Sequence, residues 1–196
     1  VTTSGRIWRV NAQAQATQVA SFVAQLSGVT TLPNDAGKYG IWAGKILTGV
    51  PASGTVLAVN AQGQSTAHQF GLNPAELKII PANENFFGID SAAQKTWGAP
   101  DDAFGTMIGD VLIAQAAPGK LGRVHWNGST LEYSELAQTA SWKQINFAPA
   151  GAAPLAEAGR FYEQLALIRH GRHGGDLGRT SGRAHPGRAP RLRRLA

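Results

Sequence analysis

The chain has 196 residues, of which 43% are hydrophobic and only 15% are charged, and it contains 24 glycines and no cysteine. The apolar content is sufficient for a packed core, and the glycine-rich, charge-poor composition favours short strands and turns over long helices. The absence of cysteine excludes disulfides, iron–sulfur clusters and cysteine nucleophiles, and no apolar run reaches the ~18 residues of a membrane span.

The net charge of +6 is distributed unevenly along the chain. Residues 1–158 carry nine basic and ten acidic side chains, whereas residues 159–196 carry nine arginines and two acidic residues. The body of the chain is therefore nearly neutral, and nucleic acid is not expected as its partner. Only the tail has the charge for such an interaction.

An internal repeat marks the first part of the chain. Residues 5–17 align without gaps on residues 54–66, with seven of thirteen positions identical, and a looser copy begins at Gly119. Each copy has alternating apolar positions followed by a turn, and the turn Asn127-Gly128 of the third copy tolerates positive φ at both positions. The repeat therefore predicts three β-hairpins, with offsets of 49 and 65 residues between copies.

Repeat periods of ~40–50 residues are typical of four-stranded propeller blades, and the longer offset indicates a blade with a long insertion. Short apolar segments flanked by turn residues predict the remaining strands, at 42–47, 78–80, 85–90, 109–114 and 144–148. The segment 19–26 is ambiguous, because its apolar residues have helical spacing while the repeat predicts a strand there. A strand followed by a loop is favoured.

Three stretches of the sequence, 32–49, 80–88 and 119–128, resemble bacterial exported β-propeller proteins of the NHL, six-bladed type. The resemblance covers residues 1–150 and implies an all-β domain of propeller-like blades in a protein that is extracellular or periplasmic. About 150 residues provide three to four blades at ~45 residues each, fewer than most closed propellers have. The expectation is thus a partial or small propeller, whose open sheet edge predicts a homo-oligomer.

The C-terminal part of the chain has a different character. Residues 151–170 predict a helix, since Pro154 suits a first helical turn and the apolar residues from Leu155 to Ile168 follow helical spacing. Residues 171–196 are rich in Arg, Gly, His and Pro and poor in large aliphatic side chains, which predicts a flexible extension. A basic arm for nucleic acid is the alternative interpretation of this tail.

Oxygen-bearing side chains in the body predict a site for a hard cation. Asn83 and Glu84 precede an apolar strand, and Asp35 and Asp110 lie in other blades. In a propeller such positions converge on the axial channel, where carboxylate and amide oxygens are the ligands that Ca²⁺ prefers. Glu84 is the predicted charged ligand, supported by Asn83, Asp110 and Asp35. The alternative is that all four are turn-forming or solvated residues.

Two functions are compatible with these residues. The first is implied by the resemblance to lactonase-like propellers: a metal-assisted hydrolase of lactones or esters, with Ca²⁺ as cofactor and Glu84 and His125 as catalytic residues. His125 would be its general base. The second is a non-catalytic exported propeller that binds a ligand or protein, or scaffolds an assembly. A small molecule is a partner in both, with Trp42 and Trp126 as aromatic contacts; packing between blades is the alternative role of the tryptophans.

Overall fold

The structure, a computed structural model, describes residues 4–150. Within this range the chain folds mostly into short antiparallel strands, which confirms the predicted all-β class. The thirteen strands are β1 (Arg6–Val10), β2 (Ala16–Ser21), β3 (Ser27–Thr31), β4 (Ile46–Val50), β5 (Thr55–Val59), β6 (Ser65–Gln69), β7 (Pro74–Ile79), β8 (Glu84–Asp90), β9 (Lys95–Ala99), β10 (Val111–Gln115), β11 (Gly119–Trp126), β12 (Leu131–Thr139) and β13 (Trp142–Pro149).

Two helical turns precede the strand predicted at 42–47, and Trp42 is the last residue of the second turn. Asp35 caps the single turn of helix α1 (Ala36–Tyr39) by accepting a hydrogen bond from the backbone N–H of Lys38, and a 3-10 helix (Gly40–Trp42) follows directly. The strand predicted at 42–47 therefore starts later, with β4. Further 3-10 helices are Pro51–Ser53 and Asp101–Met107. In the part of the chain that the structure describes, no helix has the length and apolar character to cross a membrane.

Strands β3 to β6 form a four-stranded sheet in which each strand pairs with the next along the chain. This consecutive antiparallel arrangement is that of a propeller blade. Its two central strands carry core residues on both faces: Leu47, Val56 and Ala58 on one face are at most 1% exposed, and Val59 on the other face is 0% exposed. The sheet is thus covered on both sides, as a blade between neighbours would be.

A second four-stranded sheet has the strand order β7-β10-β11-β12. The hairpin β8–β9 interrupts it in sequence and pairs instead with β13 in a separate three-stranded sheet. This inserted hairpin lies between the second and third repeat copies and accounts for the longer offset between them, which the sequence attributes to an insertion within a blade. The two four-stranded sheets meet at β3 and β7, where the Ser27 hydroxyl donates to the Ala75 carbonyl over 2.6 Å.

The repeat copies fold as the predicted hairpins, and in each an asparagine side chain organises the turn. Asn11, between β1 and β2, and Asn60, between β5 and β6, accept hydrogen bonds from the backbone N–H groups two and four residues later. Asn127, between β11 and β12, accepts from those two and three residues later. Such local bonds fix a tight turn, so the asparagine of the repeat sets the register of each hairpin.

Three apolar clusters hold the sheets together. Phe86 and Trp142 belong to the cluster between the second four-stranded sheet and the three-stranded sheet. Leu47 and Val124 belong to the cluster that joins the two four-stranded sheets. Ile7 packs with residues of β4 and β5, which places the β1–β2 hairpin on the first four-stranded sheet. Each interface between sheets therefore has its own core.

Two remaining predictions concern the connections. The segment 19–26 is a strand followed by a loop, as favoured from the sequence, because β2 ends at Ser21 and residues 22–26 are irregular. The helix predicted at 151–170 and the flexible tail predicted at 171–196 lie outside the described residues. The division of the chain at residue 150 accordingly stays a prediction.

Candidate functional site

An open groove of about 430 Å³ lies between β6 and the turn that joins β11 to β12. Its volume is within the ~300–1,000 Å³ range of small-molecule sites. The lining is mainly apolar and aromatic, with a few polar groups from the strand and the turn. The residues that characterise it are Ile41, His68, Phe70, Trp126, Ser129, Thr130 and Leu131.

Trp126 is fixed in the wall of the groove by a close approach of the backbone. Gly40 has a φ of 52°, and a Cβ atom built on it would overlap the Trp126 indole ring. Only glycine satisfies both conditions at this position. The turn after α1 therefore holds the half-buried Trp126 against the groove. Its predicted role as a ligand contact stays a prediction.

His68 and Phe70 are supported by a tryptophan of the core. The Trp42 ring lies perpendicular to both, with centroid distances of 5.4 Å to His68 and 5.8 Å to Phe70. Phe70 also stacks on Tyr133 at 6.1 Å. Trp42 itself is 1% exposed, so the prediction that it contacts a ligand does not fit the structure. It positions two groove residues from inside the core instead.

The surroundings of His68 favour the neutral form of its imidazole. Burial lowers the pKa of His68 below its usual range, and the positive charge of Lys45 lowers it further. A neutral imidazole can both donate and accept a hydrogen bond, and one of its nitrogens lies 3.2 Å from the Thr66 hydroxyl. Sequence reasoning did not single out His68 or Phe70 as contacts. The available signal was their alternate spacing on the return strand of a repeat copy.

A second polar constellation surrounds Asp110, whose side chain is only 2% exposed. Its Oδ1 lies 2.8 Å from Lys38 Nζ and 3.0 Å from His125 Nδ1, and its Oδ2 lies 3.4 Å from Arg123 Nε. A buried carboxylate is stable only when it is paired in this way. The sequence predicts separate roles for Asp110 and His125 and gives no signal for Lys38 or Arg123.

The register of two strands brings Asp110 to His125. Val111 pairs with Val124, so Asp110, which precedes Val111, lies next to His125, which follows Val124. A carboxylate at Nδ1 fixes the imidazole in the tautomer that leaves Nε2 as a proton acceptor. The geometry therefore suits His125 for general-base chemistry, and that predicted role stays a prediction.

The predicted metal ligands do not form one cluster. Among residues 4–150, no three His, Asp or Glu side chains lie close enough to hold an ion together. Asp110 faces two cationic side chains that a divalent ion would have to displace, so it acts as an ion-pair residue and does not fit the role of ligand. Asp35 caps α1, Asn83 is exposed with a φ of 58°, and Glu84 is half-buried at the start of β8. A calcium site at Glu84 stays a prediction.

Comparisons with known proteins give two distant likenesses. No protein-family model matches the chain, and no curated protein matches it. A solved streptogramin B lyase is 15% identical over 67% of this chain and 47% of its own, with a TM-score of 0.34. A virginiamycin B lyase from Staphylococcus aureus is 12% identical over 67% of this chain and 48% of its own, with a TM-score of 0.33. This chain spans about half the length of both, and such values identify neither an activity nor a substrate for it.

The class of the protein follows from its own strands. Two four-stranded sheets of consecutive antiparallel pattern, one of them with an inserted hairpin, define an all-β protein with propeller-like blades. The resemblance drawn from the sequence is confirmed at this level. The narrower assignment to the NHL type stays a prediction.

Proposed function

We propose that this protein binds a small molecule with a sugar or aromatic ring in the groove between Phe70 and Trp126. The observation that carries the proposal is the groove itself, with its volume of about 430 Å³ and its aromatic walls. Aromatic side chains stack on sugar or aromatic rings, and His68, Ser129 and Thr130 supply the few polar groups that orient a bound molecule. The function is that of a binding module.

Isothermal titration calorimetry measures this binding directly, because its signal does not depend on the tryptophan that the test removes. A panel of sugars and small aromatic molecules is titrated into the protein, and one class is expected to give a saturable change. Trp126→Ala should weaken binding of that class ~10-fold, since a stacking contact contributes about 1.4 kcal/mol. Trp8→Ala is the matched control, because Trp8 is 41% exposed on β1 and does not line the groove. An equal loss in both variants, or no saturable response across the panel, would contradict the proposal.

Hydrolysis of an ester or lactone is the second candidate, and the paired Asp110 and His125 favour it. In this reaction His125 Nε2 accepts a proton from water as the water oxygen bonds to the carbonyl carbon. The proton then passes to the alcohol oxygen as its bond to that carbon breaks. Asp110 Oδ1 lies 3.0 Å from His125 Nδ1 and thereby orients the imidazole. The sequence resemblance also implies that the protein is an NHL-type propeller located outside the cytoplasm, and we include both expectations in this proposal.

Rates on a panel of lactones and esters test the second candidate. His125→Asn should reduce kcat/KM by ~100-fold or more, whereas His68→Asn, the matched control in the groove, should leave the rate of turnover intact. Removal of divalent ions by a chelator and the substitution Glu84→Gln distinguish a calcium-assisted reaction from one that depends on His125 alone. Each treatment should reduce the rate of the calcium-assisted reaction ~100-fold, and neither should change the rate of the other reaction. Absence of hydrolysis across the panel would eliminate the enzyme and leave the binding function, which is measured separately.

A further inference from the structure

We infer that Asn127 is a site of spontaneous deamidation, a covalent change that alters the wall of the groove. Asn127 is followed by Gly128, and no other asparagine of the sequence is followed by glycine. Both residues belong to the turn between β11 and β12, where they are exposed to water. Asparagine is among the thermolabile side chains. The chemistry of this turn does not depend on whether the groove binds a ligand.

The reaction needs only the chain itself and water. The backbone nitrogen of Gly128 bonds to the side-chain carbon Cγ of Asn127. Its proton passes through water to the amide nitrogen of Asn127, which leaves as ammonia when its bond to Cγ breaks. The cyclic imide that results takes up a water molecule, which opens the ring at either of its carbonyl carbons. The products are aspartate and isoaspartate, and in the second the main chain runs through the side-chain carbons.

A hydrogen bond of the turn folds the Asn127 side chain over the nitrogen that attacks it. Asn127 Oδ1 accepts from the backbone N–H of Ser129, at 2.9 Å. The ring that this hydrogen bond closes contains the backbone nitrogen of Gly128, because Gly128 lies between the two residues in the chain. Cγ, to which Oδ1 is bonded, is therefore held on the side of that nitrogen. Holding two reacting atoms in place in this way lowers the barrier to their reaction.

Further hydrogen bonds stabilise the negative charge that develops on Oδ1 as the ring closes. Oδ1 of Asn127 also accepts from the Ser129 hydroxyl at 3.0 Å and from the Thr130 backbone N–H at 2.9 Å. Donors at ~2.7–3.1 Å from a developing oxyanion are the arrangement that stabilises tetrahedral intermediates in enzymes. The folded turn therefore promotes the reaction.

The repeat supplies two matched asparagines that lack these features. Asn11 and Asn60 occupy the corresponding turns, and each accepts two backbone hydrogen bonds on its Oδ1. Both are followed by alanine, whose Cβ restricts the backbone at the attacking nitrogen, whereas glycine leaves it free. Two positions after each asparagine stands a glutamine, which has no hydroxyl to donate as Ser129 does. Deamidation is therefore expected at Asn127 in preference to these two residues.

Conversion of Asn127 alters the groove through its neighbours. The Asn127 amide donates to the Glu132 carboxylate, and after conversion two carboxylates face each other there, which is unfavourable. Trp126 and Ser129, on either side of the turn, line the groove. Isoaspartate also adds an atom to the main chain between these two residues. Their relative position in the groove wall must then change.

Peptide mapping by mass spectrometry measures the reaction in protein that is kept warm in mildly alkaline buffer. Conversion at Asn127 is expected to be at least ~10-fold faster than at Asn11 or Asn60. Ser129→Ala keeps the glycine but removes the hydroxyl donor, and it should slow the conversion ~10-fold. Ser21→Ala, on an exposed position of β2, is the matched control and should leave the rate unchanged.

The effect on the groove is followed by NMR in the same samples. The indole N–H resonance of Trp126 should split as conversion proceeds, whereas that of Trp8, on β1 outside the groove, should not. This measurement uses no ligand, so its result is independent of the proposed binding function.

Three results would overturn the inference. Conversion at Asn127 that is no faster than at Asn11 and Asn60 would show that the turn confers no reactivity. An unchanged rate in Ser129→Ala would remove the hydroxyl from the reaction, and the melting temperature of that variant shows whether it is folded. A Trp126 resonance that stays single after conversion would show that the groove is unaffected.

Discussion

Asp90, at the residue scale, shows how a buried carboxylate can be purely structural. Its side chain accepts hydrogen bonds from four backbone N–H groups, and the residue is 2% exposed. The donors belong to two loops, one after β8 and the other before β13. They are Ala92, Ala93, Ala140 and Ser141. Asp90 therefore ties the inserted hairpin to the last strand of its sheet.

Replacing Asp90 by alanine should lower the free energy of unfolding by about 3 kcal/mol, because buried donors lose their acceptor. Burial on its own raises the pKa of Asp90, but the four backbone hydrogen bonds outweigh it and hold the pKa below its usual range. The stabilisation is thus fully present above the unfolded-state pKa of ~3.9, and it is lost as the pH falls through the lower pKa of the folded state. Urea denaturation at several pH values measures both effects.

The control for this experiment is Asp102→Ala. Asp102 is exposed, so its replacement should change the free energy of unfolding by less than about 0.5 kcal/mol. In strong acid the difference between wild type and Asp90→Ala should shrink, since the wild-type carboxyl is then protonated. A difference that stays the same from pH 7 to strong acid would contradict the assigned role.

At the scale of elements, the same asparagine turn occurs in two different sheets. Asn60 closes the outer hairpin of a four-stranded sheet, whereas Asn11 closes the two-stranded sheet β1–β2. In both turns the asparagine amide also donates to the side chain of the glutamine four residues later, over 2.9 Å. Because the two turns have the same hydrogen bonds, a difference between the effects of the same substitution at Asn11 and at Asn60 must come from the surrounding sheet.

Asn60→Ala should lower the global free energy of unfolding by about 1 kcal/mol, since it removes turn bonds within a sheet that carries the core. Asn11→Ala should act only locally, because a two-stranded sheet can open without the rest of the molecule. Amide hydrogen exchange distinguishes the two: faster exchange confined to β1–β2 is expected for Asn11→Ala. Equal losses of global stability in both variants would refute this difference.

Elements that depend on local interactions could be predicted from the sequence, whereas elements that depend on contacts with distant segments could not. The hairpins of the repeat were predictable because their alternation and their turn residues act within a few positions. The turn at α1 was missed, since its stability depends on the Asp35 cap and on Trp42 packing into the core. Strand β9 was also missed, because Lys95–Ala99 acquires its pairing only from β8.

Within residues 4–150, strand β1 leaves one of its edges unpaired. Strand β1 corresponds in the repeat to β5 and β11, but among the described residues it pairs with β2 alone. Val10 is 61% exposed, whereas its repeat counterparts Val59 and Val124 are 0% and 2% exposed. Trp8, on the same strand, is 41% exposed. An apolar strand with a free edge invites pairing with another chain.

We therefore expect the protein to self-associate through β1. Light scattering at micromolar concentration should give a mass above the 20.6 kDa of one chain. Val10→Lys places a charge at the edge and should shift the population toward monomer. Val23→Lys is the matched control, because Val23 is fully exposed in the loop after β2. A monomer at every concentration would contradict the homo-oligomer expected from the sequence.

The candidate sites could be predicted only in part. His125 and Trp126 stood out because they carry reactive and aromatic groups within a repeat copy. Their partners did not, since Asp110 reaches His125 through the register of β10 and β11 and Lys38 comes from a separate helical turn. The metal ligands were predicted from residue types that carry side-chain oxygens, but the type of a residue does not determine how far its side chain lies from the others in the fold.

The all-β class, the three hairpins and the presence of an insertion between two repeat copies could be predicted from the sequence alone. These features depend on period-2 alternation and on turn residues, which act over short separations in the chain. Three features became apparent only in the folded structure: β8–β9 pairs with β13, Trp42 is buried while Trp126 lines a groove, and Asp110 forms ion pairs with Lys38 and Arg123. These outcomes depend on pairings between distant segments, whose free energy comes from burying surfaces together and not from any local pattern of residues.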